Sequence, residues 1–594
     1  MCGEQINEID IKRHSAAHIL AMAVLDIHPD AKLGIGPVID DGFYYDFETK
    51  EPIIEDELKK IEKKMKKLIS QNIDFEKSEL TIDDAKKKFE NQKYKVELID
   101  DLAQNGEKTI SIYKSKDFED LCRGPHVKNS KEINAKALKI TRLAGAYWKS
   151  DEDREQLTRI YGILFETKEE LDEYNQKLIE AKKRDHRKLG KELGLFTIDP
   201  NVGLGLPLYK PNGAVIFNSL KRWFEDEQLK RGYLPVITPH IGRKSLWETS
   251  GHWGFYNDSM YPPLELGQTL EDYQDSRKIN ENETYLLKPM NCPLHVSIFN
   301  DDKYSYRDLP LKYYEFGTVY RYEQKGELSG LTRVRGFTQD DAHIICTKEQ
   351  LEEEMKNIID LAFYILQDTF GFEIEIFASF RDPKKEKYLG DDEKWNVAEK
   401  TITKILDEKN IKYTKEIGEA AFYGPKMDFK VKDSLGRQWQ LSTIQFDFNL
   451  PERFKMSFTN NKGAEEQPYM IHRALFGSID RFMGILIEHY AGAFPLWLSP
   501  VQAVVIPVSD KFNDYGKDVV NKLCEEGFRV KLDNDSETLG KRIRVAQKAK
   551  IPYMLVVGEK EVTDNTLAVR SRDNGDEGVI SIGDFIKKMK KEVK

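Results

Sequence analysis

The spacing of apolar and polar residues changes along this chain and divides it into segments with different predicted structures. Residues 10–28 carry apolar side chains at helical spacing around two histidines, and residues 34–47 contain strand-like apolar runs separated by turn-forming Gly, Pro and Asp. Residues 167–192 are charge-dense, with enough opposite charges at helical i,i+4 spacing to form an exposed helix. We therefore predict an α+β domain over 1–166 and a helical linker over 167–195.

The remainder of the chain shows two further patterns. Between residues 213 and 500, long amphipathic segments alternate with runs of Val, Ile, Phe and Tyr that have a period of two, which is typical of a large mixed or antiparallel sheet. Strand-like and helical runs then alternate up to the last residue, as in a compact α/β domain. These patterns predict domains over 196–498 and 499–594. Residues 259–283 are polar with little periodicity, so we expect a surface insertion there.

Composition narrows the class of protein. With 594 residues, 40% of them hydrophobic and 33% charged, the chain has enough apolar material for several cores and too much for a disordered protein. Its net charge of −10 excludes a chain-wide cationic surface for nucleic acid but leaves local basic patches open. Five scattered cysteines imply no disulfide framework, so reduced thiols are available as metal ligands or catalysts.

Two segments bear on the cellular compartment. The uncharged stretch 490–509 is nearly as long as a membrane span, but Pro495, Pro500 and Pro507 would break a spanning helix, so we expect a domain junction there. The N-terminal residues include acidic side chains and no apolar run of the kind that a secretory signal needs. We therefore expect a cytoplasmic protein with no membrane association.

Two pairs of chemistry-bearing residues occur in the N-terminal domain. His14 and His18 lie one helical turn apart on the first predicted helix, so their imidazoles share one face. Cys122 and His126 have the same separation and lie beside turn-forming residues. Chance pairs of this kind are common. The residues alone leave two interpretations open, a functional His/His/Cys/His site or four unconnected structural residues.

The segment 320–345 carries the most informative candidate chemistry. We predict a strand ending at Arg321 and Glu323, a polar loop, and a second strand whose odd-numbered residues share one face. Those residues are Arg333, Arg335, Phe337, Gln339, Asp341 and His343. Such a face is costly to bury without a ligand. A nucleotide would fit it, because arginine binds phosphate and phenylalanine stacks on a base. A solvated strand face is the alternative.

These motifs resemble those of class II aminoacyl-tRNA synthetases. The segment YRYE…RVRGFTQDDAH resembles motif 2 of that family, GSIDRFMGIL (477–486) resembles motif 3, and the predicted helix 213–231 followed by YLPVITP resembles motif 1. Further segments occur in the family's order and are similar specifically to bacterial-type threonyl-tRNA synthetases. They are KPMNCPLHVSIF, AAFYGPKMDF, QWQLSTIQFDFNLP, MIHRALFGS and the RHSAAHIL/LCRGPH pair. The resemblance extends over essentially the whole chain.

The resemblance implies a multidomain α+β protein. Its parts are an α+β editing domain over 1–166, a class II antiparallel-sheet catalytic core over 196–498 and an α/β anticodon-binding domain over 499–594. It implies a ligase that activates L-threonine with ATP and Mg²⁺, transfers it to tRNA(Thr) and hydrolyses mischarged seryl-tRNA(Thr). Motif 1 implies a homodimer. Bacterial members usually begin with a ubiquitin-like domain, whereas here His14 comes almost at once, so we expect that domain to be missing or trimmed.

For the synthetic site, the resemblance implies a zinc ion held by Cys292, His343 and His472. Three protein ligands leave coordination positions open for substrate. In the family the zinc takes the amino and hydroxyl groups of threonine, and the residue matching Asp341 accepts the hydroxyl proton. A site that demands a hydroxyl rejects valine, which is nearly isosteric with threonine, because valine leaves polar groups unpaired.

The resemblance also assigns ATP and substrate contacts. Arg321 is implied to hold the α-phosphate and the carboxylate region of threonine, Phe337 to stack on adenine and Arg481 to meet the γ-phosphate. The implied catalytic residues are Arg321, Arg481, Gln339 and Asp341. The other implied residues are Glu323, Arg333, Gln440 and Thr443 for ATP, and Tyr423, Lys426 and Gln445 for threonine. For Lys426, a plain surface charge is the alternative.

Two further sites are implied outside the catalytic core. Serine differs from threonine by one methyl group, worth roughly 1–3 kcal/mol, so a second selection step is needed. The implied editing residues are His14, His18, Tyr45, Lys95, Asp120, Cys122 and His126, and whether they bind a metal is left open. Glu561 and Arg570 match positions that read anticodon bases, since a carboxylate can accept from an exocyclic amine and an arginine can donate to guanine.

Two other functions compete with this interpretation. A synthetase-like RNA-binding regulator would lack catalysis, and such paralogues usually lose the zinc ligands or the motif arginines, all of which this chain keeps. A free-standing editing hydrolase would not need motifs 2 and 3. The intact motifs therefore favour the ligase.

Overall fold

A computed structural model describes residues 7–151, 153–265, 284–384, 388–433 and 436–593. The chain forms two compact units, Met1–Ile179 and Glu180–Lys594, and the boundary between them falls inside the predicted linker. In the linker, one helix ends at Arg184 and a second begins at His186, because the side chain of Asp185 accepts a hydrogen bond from the backbone N–H of Arg187 and caps the second helix.

The first unit combines helices with two antiparallel sheets. Its strands are β1 (Lys32–Leu33), β2 (Val38–Ile39), β3 (Gly42–Glu48), β4 (Glu76–Thr81), β5 (Thr109–Ser115), β6 (Phe118–Leu121), β7 (Leu138–Tyr147) and β8 (Gln156–Leu164). Its α-helices are Glu8–Leu25, Glu55–Ile69, Ile82–Lys88, Lys93–Gln104 and the beginning of Lys168–Arg184. One sheet has the order β1-β3-β8-β7, with β2 also paired to β3, and the other has the order β4-β5-β6.

The helix Glu8–Leu25 is central to this unit. Every residue from Ser15 to Val24 is buried, so the helix is enclosed on all sides rather than being amphipathic. Its apolar residues share a core with Phe43, Tyr45 and Phe47 of β3. The predicted helix with two histidines is thus confirmed, and its burial holds His18 in the interior.

The second unit contains the other strands of the described residues. They are β9 (Phe196–Ile198), β10 (Pro207–Tyr209), β11 (Leu234–Pro235), β12 (Ile241–Arg243), β13 (Leu264–Glu265), β14 (Thr284–Leu287), β15 (Leu311–Tyr320), β16 (Gly336–Cys346), β17 (Ile374–Phe380), β18 (Tyr413–Ile417), β19 (Lys426–Lys432), β20 (Gln438–Asp447), β21 (Phe458–Thr459), β22 (Glu465–Glu466), β23 (Tyr469–Ala474), β24 (Ala503–Pro507), β25 (Val530–Leu532), β26 (Tyr553–Val557), β27 (Thr566–Ser571) and β28 (Gly575–Ser581). The α-helices are His186–Glu192, Pro211–Leu229, Lys244–Ser250, His252–Tyr256, Cys292–Asp301, Leu351–Phe363, Asp392–Glu408, Asn449–Arg453, Ile479–His489, Asn513–Glu525, Leu539–Lys548, Glu559–Asp564 and Ile582–Glu592.

A large sheet organises most of this unit. Its order is β11-β15-β16-β23-β20-β19-β17-β18, and every pair is antiparallel except β11–β15 and β17–β18. The helices Leu351–Phe363, Asp392–Glu408 and Ile479–His489 contribute their apolar faces to one core with it. The predicted large mixed or antiparallel sheet is confirmed, and two of its pairs are parallel.

The C-terminal segment forms a separate sheet within the second unit. Its order is β25-β24-β26-β27-β28, with parallel pairs at β24 and antiparallel pairs at β27, and helices pack on it as the alternating pattern predicted. The uncharged stretch 490–509 contributes β24 to this core. Among the helices of the described residues, none has the length and apolar character needed to cross a membrane.

Two details differ from the sequence predictions. The second motif 2 strand begins only at Gly336, so Arg333 and Arg335 lie in the preceding loop. The reason is that the backbone N–H of Arg335 donates to Gly205 O (2.7 Å) instead of entering a strand ladder. In the predicted insertion 259–283, β13 pairs with β14, and residues 266–283 lie outside the described residues.

Candidate active sites

A pocket of about 450 Å³ opens beside the central strands of the large sheet. Strands β16, β20 and β23, the start of the helix Ile479–His489 and the motif 2 loop all contribute side chains to it. Of the residues predicted from sequence, it is lined by Cys292, Arg321, Glu323, Arg333, Phe337, Gln339, Asp341, Tyr423, Gln440, Thr443, Gln445, His472 and Arg481. The sequence therefore identified half of the residues that line this pocket.

Three arginines give one part of the pocket a strong positive charge. Arg321 lies with its guanidinium 5.2 Å from the ring centroid of Phe337. Arg333 forms an ion pair with Glu323 (3.0 Å). Arg481 donates from Nε to Thr332 O (3.0 Å), and burial followed by repulsion from Arg333 and Arg321 lowers its pKa. Converging cations beside an aromatic ring form a receptor for a polyanion that carries a flat base.

Cys292, His343 and His472 meet at one end of the same site. One ligand atom from each lies within 4.8 Å of the others, and all three residues are buried. The antiparallel register of β16 and β23 sets His343 directly opposite His472. Cys292 comes from the first turn of the helix Cys292–Asp301, and burial raises the pKa of its thiol. Residues far apart in sequence thus converge through strand pairing.

The hydrogen bonds around the two histidines fix where their protons lie. His472 Nε2 is 2.7 Å from Asp447 Oδ2, so it donates there and leaves its Nδ1 lone pair free. His343 Nδ1 is 2.7 Å from Nδ1 of His295, whose own Nε2 faces Glu315 Oε1 at 3.3 Å. Because the Glu315 carboxylate faces His295 Nε2, the ring proton of His295 lies on that atom. His295 Nδ1 then accepts from His343, which leaves a lone pair on His343 Nε2.

This arrangement fits a metal cation. The two lone pairs, on His343 Nε2 and His472 Nδ1, face each other at 2.9 Å, which is unfavourable unless a cation lies between them. A thiolate and two neutral imidazoles are donors that zinc prefers, and three protein ligands leave a position for substrate. The outer hydrogen bond from His472 to Asp447 matches the carboxylate partner that usually orients a metal-binding histidine.

The residues predicted to contact threonine separate into two groups. Asp341 lies beside His343 (3.9 Å) and accepts from the side-chain amide of Asn291 (3.1 Å), and burial raises its pKa. The hydroxyl of Tyr423 donates to the side-chain carbonyl of Gln445 within the pocket. Lys426, in contrast, is not among the described residues that line the pocket. Its ammonium group forms an ion pair with Asp428.

Asp428 connects several of the other predicted residues. It accepts hydrogen bonds from Gln440 (2.6 Å) and Thr443 (3.0 Å) in addition to its ion pair with Lys426. Asp428 was not predicted from the sequence, and neither were Asp447, His295 and Glu315. The signal for Asp428 was present, since polar residues occupy every second position of an otherwise apolar strand, Lys426–Lys432.

A second cluster lies in the first unit. His14, His18, Cys122 and His126 each present a ligand atom within 4.8 Å of the others. Cys122 Sγ is 3.2 Å from both His14 Nε2 and His126 Nε2. Burial lowers the pKa of all three imidazoles and raises the pKa of the Cys122 thiol to about 11. The four residues therefore lie together as one cluster of neutral imidazoles around a thiol and are not unconnected.

A buried polar triad adjoins this cluster. Lys95 forms an ion pair with Asp120 (2.5 Å) and donates to Tyr45 OH (3.1 Å), while Tyr45 OH donates to Asp120. All three side chains are almost fully buried. His18 Nε2 lies 3.7 Å from Asp120, so the triad and the cluster are in contact. The structure brings together all seven residues of the predicted editing set.

The two predicted anticodon residues lie on the C-terminal sheet and a helix beside it. Glu561 accepts a hydrogen bond from the backbone N–H of Gly558 (2.9 Å), which caps its own helix, so part of its acceptor capacity is used within the chain. Arg570 lies on β27, and its Nε is buried without a hydrogen-bond partner among the described residues.

Comparisons with known proteins agree with this architecture. Three family models match: the tRNA synthetase class II core domain (G, H, P, S and T) at residues 273–490, the anticodon binding domain at 502–592, and the threonyl and alanyl tRNA synthetase second additional domain at 110–161.

Whole-chain relatives are also similar. A threonine–tRNA ligase from Borreliella burgdorferi is 48% identical over 95% of this chain and 94% of its own. One from Thermus thermophilus is 47% identical over 97% of this chain and 87% of its own. The crystal structure of the RNA binding domain of threonyl-tRNA synthetase from Cryptosporidium parvum is 39% identical, covers 69% of this chain and 98% of that chain, and has a TM-score of 0.64. The chain therefore belongs to the threonine–tRNA ligases of the class II aminoacyl-tRNA synthetase family.

Proposed function

We propose that the large-sheet pocket activates L-threonine with ATP and transfers it to tRNA(Thr). The observation that carries this proposal is that one pocket is lined by the three arginines described above, a phenylalanine ring, and Cys292 and His472 of the Cys/His/His donor set. Activation is an in-line attack of the threonine carboxylate on the α-phosphorus, which depends mostly on positioning and on neutralising phosphate charge. Arg321 meets the α-phosphate, Arg481 the γ-phosphate, and Phe337 stacks on the adenine. Mg²⁺ accompanies the ATP phosphates.

The donor set supports a role in substrate selection. Cys292, His343 and His472 would hold zinc, and the bound ion would supply a Lewis acid for the amino and hydroxyl groups of threonine. Asp341, 3.9 Å from His343, accepts the hydrogen of the threonine hydroxyl. Tyr423 and Gln445 close the same side of the pocket. Valine would leave the Asp341 carboxylate and the open coordination position unsatisfied.

The His/His/Cys/His cluster supports hydrolysis of seryl-tRNA(Thr) in the first unit. Its imidazoles are neutral and can order a water molecule next to an ester carbonyl. Lys95 and Tyr45 supply proton donors, and Asp120 fixes both of them. We assign the residues 1–166 to editing and 499–594 to anticodon binding, with Glu561 and Arg570 as base contacts, and 167–195 to the linker between editing and catalysis.

The working unit is a homodimer formed through the motif 1 helix. Leu229, Leu234 and Ile237 are exposed at 51%, 46% and 95%, at or just beyond the end of that helix, and a second copy would cover them. Ultracentrifugation at assay concentration measures this directly. A fully active monomer would contradict the assignment.

We further propose that the protein acts in the cytoplasm.

ATP–pyrophosphate exchange across a panel of amino acids tests the central proposal. We expect threonine-dependent exchange that collapses in Cys292→Ala and Arg321→Ala. If the folded variants exchange normally, or if another amino acid is the best substrate, the assignment is wrong. An RNA-binding regulator without catalysis would show no exchange with any amino acid. Metal analysis should find zinc in the parent and its loss in His472→Ala.

A further inference from the structure

A buried histidine joins the linker to the motif 2 loop. His186 is 4% exposed, and its Nδ1 lies 2.7 Å from Glu488 Oε1 on the motif 3 helix. Its Nε2 accepts a hydrogen bond from the backbone N–H of Leu331 (3.1 Å). Because Nε2 accepts, the ring proton lies on Nδ1 and is donated to Glu488. Asp185, His186 and Glu488 are close enough together to hold a metal ion. Both ring nitrogens of His186 are already used in hydrogen bonds, however, so the imidazole acts as a bridge between Glu488 and Leu331.

Leu331 is followed directly by groups that line the pocket. The carbonyl oxygen of Thr332 accepts from Nε of Arg481, and Arg333 forms an ion pair with Glu323. Leu331 itself is fully buried in the core of the large sheet. A displacement of this loop would therefore move the Thr332 carbonyl that accepts from Arg481 and the backbone that carries Arg333.

The imidazole of His186 also fits tightly between two glycines. A Cβ on Gly330, which has φ of +50°, would lie 2.1 Å from His186 Nε2. A Cβ on Gly484 would lie 3.3 Å from Leu331 Cβ and 3.6 Å from His186 Cδ2. The loop, the motif 3 helix and the linker helix thus share one close contact, which leaves the loop no space to shift towards the ring.

We propose that His186 is a positioning residue for ATP. Through the Leu331 hydrogen bond it fixes the loop that carries Arg333 and supports Arg481, and so sets the geometry of the phosphate-binding arginines. This proposal rests on the proposed function, because it assumes that the arginines bind ATP. His186 itself does not touch the reactants.

Two substitutions separate its two hydrogen bonds. The amide of His186→Gln reaches the position of Nε2 and can accept from Leu331, whereas the amide of His186→Asn reaches only the position of Nδ1 and can donate to Glu488. We expect His186→Asn to raise the KM for ATP in the exchange assay about tenfold, the effect of losing one buried hydrogen bond. The KM for threonine should change less than about twofold, and His186→Gln should retain most of the parent's ATP affinity.

A second variant leaves the histidine in place. Gly330→Ala brings a methyl group against Nε2, so the loop must move and the KM for ATP should rise while the KM for threonine stays near the parent value. Lys188→Gln, at an exposed position of the same helix, is the matched control and should behave as the parent. Thermal unfolding of each variant separates a general loss of stability from the ATP-specific effect.

Direct ATP binding, measured by calorimetry on the full chain, keeps this inference distinct from the proposed function. If the parent shows no threonine-dependent exchange, the proposed function fails, and ATP affinity still reports on His186. Equal ATP affinity in the parent, His186→Asn and Gly330→Ala would overturn the inference. Equal fold-changes in the KM for ATP and threonine would also overturn it, because they indicate a merely structural role.

Discussion

Replacing Asp447 by asparagine tests the proton arrangement that makes the Cys/His/His set a metal site. Asp447 Oδ1 accepts the backbone N–H groups of Asn449 (2.7 Å) and Leu450 (3.0 Å), while Oδ2 accepts from His472 Nε2 (2.7 Å). In Asp447→Asn, an amide that keeps the two backbone bonds turns its NH₂ group towards His472 Nε2. Turning the amide over instead would give up both backbone bonds, at about 0.5–1.5 kcal/mol each.

The lower-energy response is a change of tautomer at His472. If the proton moves to Nδ1, that atom no longer has a lone pair for the metal. Loss of such an outer partner typically weakens metal binding about 10–100-fold, which corresponds to about 1.4–2.7 kcal/mol. We therefore expect a zinc affinity lower by this factor with little change in the fold, because the substitution is isosteric and the helix Asn449–Arg453 keeps its two backbone bonds.

Competition between the zinc-loaded protein and a chromogenic chelator at neutral pH measures the effect. Asp533→Asn makes the same replacement at the ion pair with Arg542 in the C-terminal domain and should leave zinc affinity unchanged. Cys292→Ser, which removes a proposed ligand, sets the scale for full loss. If Asp447→Asn retains affinity within about twofold of the parent while Cys292→Ser loses zinc, the Asp447 bond does not control the tautomer, and the reasoning is refuted.

Three further outcomes follow from the described contacts. Double replacement of His14 and His18 by alanine should leave threonine activation nearly intact, since the pocket lies in the other unit, but should slow deacylation of seryl-tRNA(Thr); clearance of that ester at the parent rate would mean that the cluster is structural. Alkylation of Cys122 by iodoacetamide should be slow at neutral pH and should accelerate as the pH approaches the pKa of this thiol, about 11, because only the thiolate reacts. Mass spectrometry of the same sample should show that the exposed Cys524 is alkylated faster at neutral pH. Equal rates at the two cysteines would contradict the raised pKa. Trp395→Ala removes a fully buried ring from the core of the large sheet and should lower the free energy of unfolding by about 3–5 kcal/mol in a denaturant titration, with a change under about 1 kcal/mol indicating that the core refills the cavity.

The local spacing of apolar and polar residues was enough to predict much of the fold and part of the site. Helical spacing predicted the first helix and its paired histidines, and a period of two predicted the large sheet. The same period set Phe337, Gln339 and Asp341 on one face, and all three line the pocket. These predictions succeed because side-chain direction in a helix or strand follows from residue spacing. The motif resemblance supplied the remaining residues.

A tertiary contact decided the strand boundary, whereas a neighbour on the same strand decided the ion pair of Lys426. Arg333 and Arg335 continue the alternating pattern, yet the chain leaves the sheet there because Gly205, which is distant in sequence, takes the backbone bond of Arg335. Lys426 was predicted to contact threonine, but its ammonium group forms an ion pair with the neighbouring carboxylate of Asp428. Gly205 cannot be read from the local sequence, whereas Asp428 lies two residues from Lys426 on the same strand.

The sequence by itself thus determined which elements form and which side chains share a face. Only the tertiary structure decided which polar groups became partners. His186 and Glu488 lie 302 positions apart in the sequence, and His343 and His472 lie 129 apart. His472 and Asp447 are brought within hydrogen-bond distance by the pairing of β23 with β20. Whether such a hydrogen bond forms depends on differences of a few tenths of an ångström in the distance between donor and acceptor. The packing of the whole core sets that distance, and no local sequence period encodes it.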